Sequence, residues 1–242
     1  MRLRIDLAAS VAKDLKRPDL NEDAYALGDA RFALSDGASE SYDSRTWARL
    51  LTEAYVLDQG VCVPWVADRV RTYLDSTDFA SLSWSKQAAF ERGSFATLLG
   101  LELAPNGTDA EVLAIGDSLA AHVRDGVILD SFPFQHAEQF DARPRLLSTL
   151  AAANDFVGES NFFTNSSITW PVRPNDQILL VTDAVGHWLL AHEEALTTLS
   201  VVSSNEEFGQ LVADRRLDKT MRLDDSTILR IVVEGDELEQ QA

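Results

Sequence analysis

The sequence predicts an α+β fold with mostly antiparallel strands, and three observations support this prediction. At least six strand-like apolar segments are interspersed with helical stripes, without a regular alternation of strand and helix. The dipeptide Asp125-Gly126 interrupts one apolar run and is a strong signal for a two-residue β-hairpin. No G-x-G-x-x-G sequence occurs, which argues against a doubly wound nucleotide-binding fold.

Hydrophobic periodicity predicts each element in turn. Apolar runs bounded by turn residues predict strands, whereas apolar residues spaced three and four apart predict helices. In the first half of the chain these signals give a hairpin of Ala24–Leu27 and Arg31–Leu34 around Gly28-Asp29, a helix from Ser44, a helix after Pro64, a short helix over Trp84–Phe90, and strands over Phe95–Ala104, Ala110–Ile115 and Leu119–Leu129. In the second half they give a helix over Arg145–Ala153, a strand over Gln177–Val181, a helical turn through Trp188-Leu189-Leu190, helices within His192–Val202 and Asn205–Arg215, and a last strand over Ser226–Val233.

Length and composition favour one compact domain. A chain of 242 residues, of which 45% are hydrophobic, is long enough to bury roughly 70–75% of its unfolded surface without a disulfide. The sequence contains no low-complexity block, solenoid repeat or linker rich in Pro, Gly and Ser. We therefore expect a single domain over residues 1–235, followed by a polar C-terminal tail over residues 236–242.

Charge and cysteine content disfavour several function classes. The 21 Lys and Arg residues against 39 Asp and Glu residues give a formal charge of -18, which repels nucleic-acid phosphates and anionic lipid headgroups. Cys62 is the only cysteine, so neither a disulfide framework nor a cysteine-based zinc site is expected. The first residues lack the apolar stretch of a signal peptide, and no run of about 18 apolar residues occurs. We expect a cytoplasmic protein with no nucleic-acid or membrane partner.

Acidic residues recur at one kind of position, next to the end of an apolar strand. These residues are Asp36, Asp117, Asp183 and Asp224, together with the pair Glu22 and Asp23 before the first hairpin strand. Taken singly, each is best explained as a turn residue, because Asp is depleted in strands and favoured in turns. Five such sites beside core strands favour a second interpretation, in which the carboxylates meet at one edge of a sandwich.

Carboxylates that meet at one edge need a cation, because neighbouring like charges raise one another's pKa. Oxygen ligands without nearby Cys or His select Mg²⁺ or Mn²⁺ over Zn²⁺. Two such cations that share a carboxylate orient and deprotonate a water molecule and neutralise charge on a phosphoryl group. The pattern therefore favours metal-assisted hydrolysis of a phosphoester.

In their order along the chain, the motifs resemble those of the type 2C metal-dependent (PPM-type) serine/threonine protein phosphatases, bacterial members included. The matching segments are Asn21-Glu22-Asp23, Leu34-Ser35-Asp36-Gly37, Gly93-Ser94-Phe95-Ala96, Ile115-Gly116-Asp117-Ser118, Val123-Arg124-Asp125-Gly126, Leu179-Leu180-Val181-Thr182-Asp183 and Asp224-Asp225-Ser226-Thr227. The resemblance implies a central antiparallel β-sandwich flanked by helices on both sides. It also implies a phosphorylated protein as substrate and a counterpart Ser/Thr kinase.

The resemblance assigns roles to individual residues. Asp36 matches the carboxylate that bridges two Mg²⁺ or Mn²⁺ ions, and the carbonyl of Gly37 would bind one of them. Asp183 and Asp224 match the other direct ligands. The remaining matches are Glu22 and Asp23, which hold metal-bound waters, and Asp117, which in bacterial members helps to bind a weaker third metal. Metal-bound hydroxide would attack phosphorus directly, so Asp36, Asp183 and Asp224 are the expected catalytic residues.

Three positions depart from the family pattern. Many members carry His or Met and two glycines after the Asp-Gly pair, whereas this sequence has Ala38-Ser39-Glu40 and so lacks the His proposed as general acid in eukaryotic relatives. The usual Asp-Gly of the second metal site is Asp183-Ala184. The position of the phosphate-binding Arg holds Pro18, which leaves Arg17 or Lys16 to bind phosphate.

The leading hypothesis is a phosphatase that acts on phosphoserine and phosphothreonine in proteins at a binuclear Mg²⁺ or Mn²⁺ centre. The altered Ala38-Ser39-Glu40 and Asp183-Ala184 segments favour an alternative, a phosphatase-like regulatory or phosphopeptide-binding module with weak or no activity. A third interpretation is a hydrolase of a small phosphoester or nucleotide.

Overall fold

The computed structural model of the chain describes residues 1–39 and 41–235. Within them the strands are β1 (Arg2–Val11), β2 (Ala24–Leu27), β3 (Arg31–Ser35), β4 (Phe95–Ala96), β5 (Leu98–Leu103), β6 (Asp109–Ile115), β7 (Leu119–Arg124), β8 (Val127–Phe132), β9 (Leu147–Ser148), β10 (Ser167–Pro171), β11 (Gln177–Val181) and β12 (Ser226–Glu234). The α-helices are α1 (Ser44–Leu57), α2 (Val63–Ser76), α3 (Trp84–Phe90), α4 (Phe162–Asn165), α5 (Asp183–Ala191), α6 (Ala195–Val201) and α7 (Asn205–Leu217). Short 3-10 helices cover Pro18–Leu20, Phe79–Ser81, Ala137–Asp141 and Ala151–Gly158. The tail predicted over residues 236–242 lies outside the described residues.

Two antiparallel five-stranded sheets form the centre of the described part of the chain. One sheet has the strand order β1-β12-β11-β7-β8 and the other has β10-β6-β5-β3-β2, while β4 and β9 form a small separate pair. The facing sides of the sheets pack an apolar layer that includes Leu34, Leu99, Leu180 and Leu229, none of which has exposed surface. Burial of one such side chain is worth about 1.5–3 kcal/mol, so this layer holds the two sheets together.

Helices cover the outer faces of both sheets. Trp47 and Leu51 of α1 pack with Leu98 on the outside of the second sheet, and their spacing of four residues places both on one helix face. Trp188 of α5 and Phe208 of α7 pack on the outside of the first sheet. The order of layers is helix, sheet, sheet, helix, which confirms the predicted α+β sandwich. No helix in residues 1–39 and 41–235 has the length and apolar character needed to cross a membrane.

Strand β1 is absent from the elements predicted above. It pairs antiparallel with β12, from Arg2 opposite Glu234 to Val11 opposite Ser226. Leu3 and Leu7 are buried, whereas Arg4 between them is exposed. This alternation is the sequence signal of a half-buried strand, so the sequence did contain the information that predicts β1.

The predicted helix over Arg145–Ala153 is wrong. Leu147–Ser148 forms strand β9 opposite Phe95–Ala96, and a 3-10 helix follows. The side chain of Asn154 explains the difference, because its Oδ1 accepts from the Ser148 amide at 2.8 Å and its Nδ2 donates to the Ser148 carbonyl at 2.7 Å. The Ser148 backbone therefore forms hydrogen bonds with the Asn154 side chain and not the hydrogen bonds of a helix.

Candidate functional site

The topology brings the strand-end acids to one edge of the sandwich. In the first sheet, the end of β11 and the starts of β7 and β12 lie at this edge. In the second sheet, the corresponding edge holds the ends of β3 and β6 and the starts of β2 and β5. The residue pairs that fix this are Val181 with Leu119 and Ile228, Ala24 with Ser35, and Leu98 with Ile115. The short connection Gly116–Ser118 between β6 and β7 joins the two edges. This common edge carries Glu22, Asp23, Asp36, Asp117, Asp183 and Asp224, and is called the acid edge below.

Thr97 fastens the loop of Asp36 to the loop of Asp117. The amide of Asp36 donates to Thr97 Oγ1 at 2.8 Å, and the amide of Thr97 donates to the Asp36 carbonyl at 2.9 Å. Thr97 Oγ1 also lies 2.8 Å from Ser118 Oγ, next to Asp117. These bonds fix the backbone beneath the half-buried Asp36, while no described hydrogen bond engages its carboxylate.

Gly37 follows Asp36 at a point of close backbone approach. A Cβ at this position would lie 2.7 Å from the Glu22 carbonyl oxygen and 3.0 Å from Ser44 Cβ. Ser44 Oγ in turn donates a short hydrogen bond to Glu22 Oε1. Only a glycine fits between these groups, so Gly37 brings the Asp36 loop against the Glu22 segment.

Asp225 organises the backbone behind the site. It is buried, its Oδ1 accepts from the Lys13 amide at 2.6 Å, and its Oδ2 accepts from the Glu22 amide at 2.7 Å. One carboxylate, just before β12, thus binds both the segment that follows β1 and the segment that precedes β2. Its neighbour Asp224 is half-exposed and accepts at Oδ1 from the Asp225 amide at 2.9 Å.

Asp23 has one oxygen bound and one left free. Its Oδ2 accepts from Thr227 Oγ1 at 2.6 Å, whereas its buried Oδ1 has no hydrogen-bond partner among the described residues. An unpaired buried carboxylate oxygen is costly and requires an explanation such as a bound ion. Asp23 is 8% exposed, so bulk water does not provide an easy substitute.

The acids at this edge raise one another's pKa. Burial, and then the charges of Asp23 and Asp183, raise the pKa of Asp36 well above its usual value. Burial is also the first cause for Asp23, whose pKa is raised well above its usual value. The pKa of Asp183 is raised to about 6 by burial and by the charges of Asp117 and Asp224, and burial raises the pKa of Asp117. Burial and mutual repulsion therefore disfavour the charged form of these carboxyl groups.

The carboxylates share this electrostatic environment without forming a closed ligand shell. No group of three His, Cys, Asp or Glu side chains within residues 1–39 and 41–235 stands in an arrangement that could hold a metal ion. Asp183 is turned toward its own helix, since its Oδ1 accepts from the Ala184 amide at 2.6 Å. The donor set, all oxygen with one buried acceptor unpaired, fits a hard divalent cation.

Three cations near the acid edge were absent from the predicted site. Lys13 Nζ donates to Ser39 Oγ at 2.6 Å and lies 3.9 Å from Asp224 Oδ1. Arg222 opposes burial by lowering the pKa of both Asp117 and Asp183. Arg216 is held by backbone oxygens and donates to the Asp224 carbonyl. Lys13 lies just after β1, and because β1 is absent from the predicted elements, no predicted strand end pointed to this residue.

Arg17, the predicted phosphate-binding residue, is exposed and paired elsewhere. Its guanidinium donates to Asp19 through Nε at 3.1 Å and through Nη2 at 2.9 Å. No described contact of the Arg17 side chain reaches the acid edge. The Asp-Gly pair is followed by Ala38 and the exposed Ser39, while Glu40 lies outside the described residues.

Solved structures show which proteins share this fold, although no protein-family model and no curated protein matches the sequence. The serine/threonine phosphatase PstP/Ppp of Mycobacterium tuberculosis matches with a TM-score of 0.65 and 19% identity over 97% of this chain and 100% of that chain. A PstP catalytic domain in complex with two manganese ions matches with a TM-score of 0.59 and 19% identity, over 97% of this chain and 99% of that chain. The photosystem II phosphatase PBCP matches with a TM-score of 0.59 and 16% identity, over 96% of this chain and 99% of that chain. The resemblance to PPM-type phosphatases is therefore confirmed at the level of the fold.

Proposed function

We propose that this chain is a metal-dependent phosphoprotein phosphatase that hydrolyses phosphoserine and phosphothreonine esters. The observation that carries the proposal is the acid edge, where distant segments contribute carboxylates and one of them, Asp23, keeps a buried oxygen unpaired. The fold shared with serine/threonine phosphatases supports the same reaction class. Such a phosphatase implies a phosphorylated protein substrate and a Ser/Thr kinase that produces it.

The proposed cofactors are two Mg²⁺ or Mn²⁺ ions, with a weaker third. Asp36, the Gly37 carbonyl, Asp183 and Asp224 would hold the two ions directly. The other proposed positions are Glu22 and Asp23, through water molecules, and Asp117, for the third ion. When bound, such ions supply a water molecule of lowered pKa and neutralise charge on the phosphoryl group. The PstP complex with two manganese ions supports this cofactor choice.

The chain's own groups would position the phosphate at this edge. Lys13 Nζ is beside Asp224 and Ser39, and its ammonium would bind a phosphoryl oxygen as a point charge. Arg17 remains a proposed phosphate ligand and would first have to leave Asp19. Ala38 carries no proton to donate, so the leaving serine or threonine oxygen would take its proton from water or from another residue.

The test is turnover of p-nitrophenyl phosphate with Mn²⁺ and with excess EDTA. We expect activity with Mn²⁺ and none with EDTA, and a loss of at least about 100-fold in Asp36→Asn, because the cation provides several kcal/mol of charge stabilisation. Asp75→Asn is the matched control, since Asp75 is an exposed acid of α2 without a described ion pair. Full turnover in EDTA would contradict the proposal.

A phosphatase-like binding module is the second candidate. It is favoured by Ala38-Ser39-Glu40 in place of the family's His or Met and two glycines, and by Ala184 in place of the usual glycine. This candidate predicts that the chain binds Mn²⁺ or a phosphopeptide without hydrolysing p-nitrophenyl phosphate or a phosphopeptide. Mn²⁺-dependent turnover would exclude it.

A further inference from the structure

A cleft of about 470 Å³ lies beside the acid edge. Its apolar lining includes Phe95, Leu146 and Phe156, and two arginines, Arg92 and Arg143, also line it. We call this the arginine cleft. Both arginines are exposed, whereas the two phenylalanines and Leu146 are half-buried. The cleft therefore combines an apolar surface with two positive charges.

The arginine cleft shares a wall with the proposed active site. Ala38 and Ser41, which line it, belong to the loop that follows Gly37. The Ala38 amide donates to the Phe95 carbonyl at 2.9 Å, and the Ser41 amide donates to the Ala38 carbonyl at 3.0 Å. The cleft therefore adjoins the segment that follows Asp36 and Gly37.

Among the residues that the structure describes, the two arginines of the cleft have no acidic partner. Arg92 donates from Nη1 to the Ala88 carbonyl at 3.1 Å, and neither Arg92 nor Arg143 forms an ion pair with any residue in the described ranges 1–39 and 41–235. The nearby Arg145, by contrast, pairs with Glu159 at 2.8 Å. In a chain with a formal charge of -18, two unpaired cations on one cleft make a local site for negative charge.

We propose that the arginine cleft binds an acidic segment of the phosphoprotein substrate, next to the residue that is dephosphorylated. The negative groups are Asp or Glu carboxylates or a second phosphate, and the aliphatic parts of the segment pack on Phe95 and Phe156. The proposal rests on the proposed function, because it names the substrate class of that same site. Arg92 and Arg143 bind the flanking charge and touch no reacting atom.

The test uses two labelled phosphoserine peptides, one with two Glu residues on each side of the phosphoserine and one with Gln at those positions. Binding is measured by fluorescence anisotropy in EDTA, and kcat/KM is measured with Mn²⁺. Two exposed charge pairs lead us to expect about three- to tenfold tighter binding of the Glu peptide, and a preference that falls with added salt. The Arg92→Gln/Arg143→Gln double variant should bind both peptides alike.

Arg173→Gln is the matched control, because Arg173 is exposed, has no described ion pair and lies in the connection between β10 and β11. It should keep the preference for the Glu peptide, and circular dichroism verifies that all variants fold. Equal affinity of the wild type for both peptides overturns the cleft proposal, even if p-nitrophenyl phosphate is hydrolysed.

The two proposals fail in different ways. A missing turnover with Mn²⁺ overturns the phosphatase function, while the anisotropy measurement in EDTA still decides the cleft. Phosphatidylglycerol vesicles and poly(U) serve as competitors of other chemical classes. The assignment to an acidic peptide segment is wrong if the vesicles or poly(U) bind the wild type more tightly than the Glu peptide does and displace that peptide. This displacement must be absent from the double variant, which shows that the competitor acts at the arginine cleft.

Discussion

Two buried carboxylates at different places in this protein differ in what surrounds them. Asp176, in the turn before β11, is 1% exposed, and it accepts from Arg124 Nε and Nη2 at 2.7 Å each and from the Arg173 amide at 2.9 Å. Asp23 at the acid edge is almost as buried, yet one of its oxygens has no hydrogen-bond partner in the part of the chain that the structure describes. The first carboxylate is fully paired within the protein, whereas the second is left with capacity to bind something else.

The pKa directions follow from this difference. Burial raises the pKa of Asp176, but hydrogen bonds from Arg124 and His122 outweigh it and hold the pKa below its usual value. At Asp23 burial raises the pKa, and the hydrogen bond from Thr227 does not compensate for the charges of Asp225 and other neighbours. A buried acid whose charged form is stabilised by its surroundings has a structural role. A buried acid whose charged form is destabilised by its surroundings is a candidate for function.

Replacement of Asp176 gives the largest expected change in stability. Asp176→Asn removes the charge that holds Arg124 and should destabilise the fold by about 3 kcal/mol, toward the lower end for a broken buried pair because Arg124 is partly exposed. Urea unfolding monitored by tryptophan fluorescence measures this. Asp176 lies at the start of β11, whereas the proposed active site lies at the end of that strand, so the activity per folded molecule should persist. A variant that keeps full stability but loses activity would contradict the structural role of Asp176.

Divalent metal should stabilise the acid edge by nearly as much. At a Mn²⁺ concentration 100 times its Kd, a ligand that binds only the folded state adds about 2.7 kcal/mol. The melting temperature should therefore rise with Mn²⁺ in the wild type and in Asp176→Asn, but not in Asp36→Asn. An equal rise in all three proteins would locate the metal elsewhere.

Acid should weaken the Asp176 pairing. The folded pKa of Asp176 lies below the unfolded value of about 3.9, so its contribution is fully present above that value. The contribution is lost as the pH falls through the folded pKa. Unfolding free energies between pH 5 and pH 2 should fall less steeply in Asp176→Asn than in the wild type, and parallel curves would refute this.

The smallest expected change in the free energy of unfolding is a gain in stability and not a loss. Asp23→Asn removes a buried negative charge and its repulsion from Asp225, while the side-chain oxygen still accepts from Thr227. Without metal this variant should be as stable as the wild type or more stable by up to about 1 kcal/mol, although it should lose the Mn²⁺-dependent rise in melting temperature. Chemical unfolding in EDTA measures the first effect, and destabilisation by more than about 1 kcal/mol would show that Asp23 is structural like Asp176.

Local patterns predicted much of the fold. Period-2 and period-3.6 apolar spacing predicted α1, α2, α7 and the strands β2, β3, β6, β7 and β11, because these patterns record which face each element buries. The helix predicted over Arg145–Ala153 failed because Asn154 binds the backbone of Ser148, a competition that apolar spacing does not record. Strand β1 carries the same kind of alternation but is absent from the predicted elements.

The sequence by itself determined that acids follow or precede apolar strands, and that oxygen ligands there would favour a hard cation. The tertiary structure decided that Asp23 keeps an unpaired oxygen, that Asp225 binds the amides of Lys13 and Glu22, and that Arg17 pairs with Asp19. The physical reason is range. Propensity and periodicity act over a few neighbouring residues, whereas the bond between Asp23 and Thr227 joins positions 204 residues apart, and only the register and packing of two sheets bring them together.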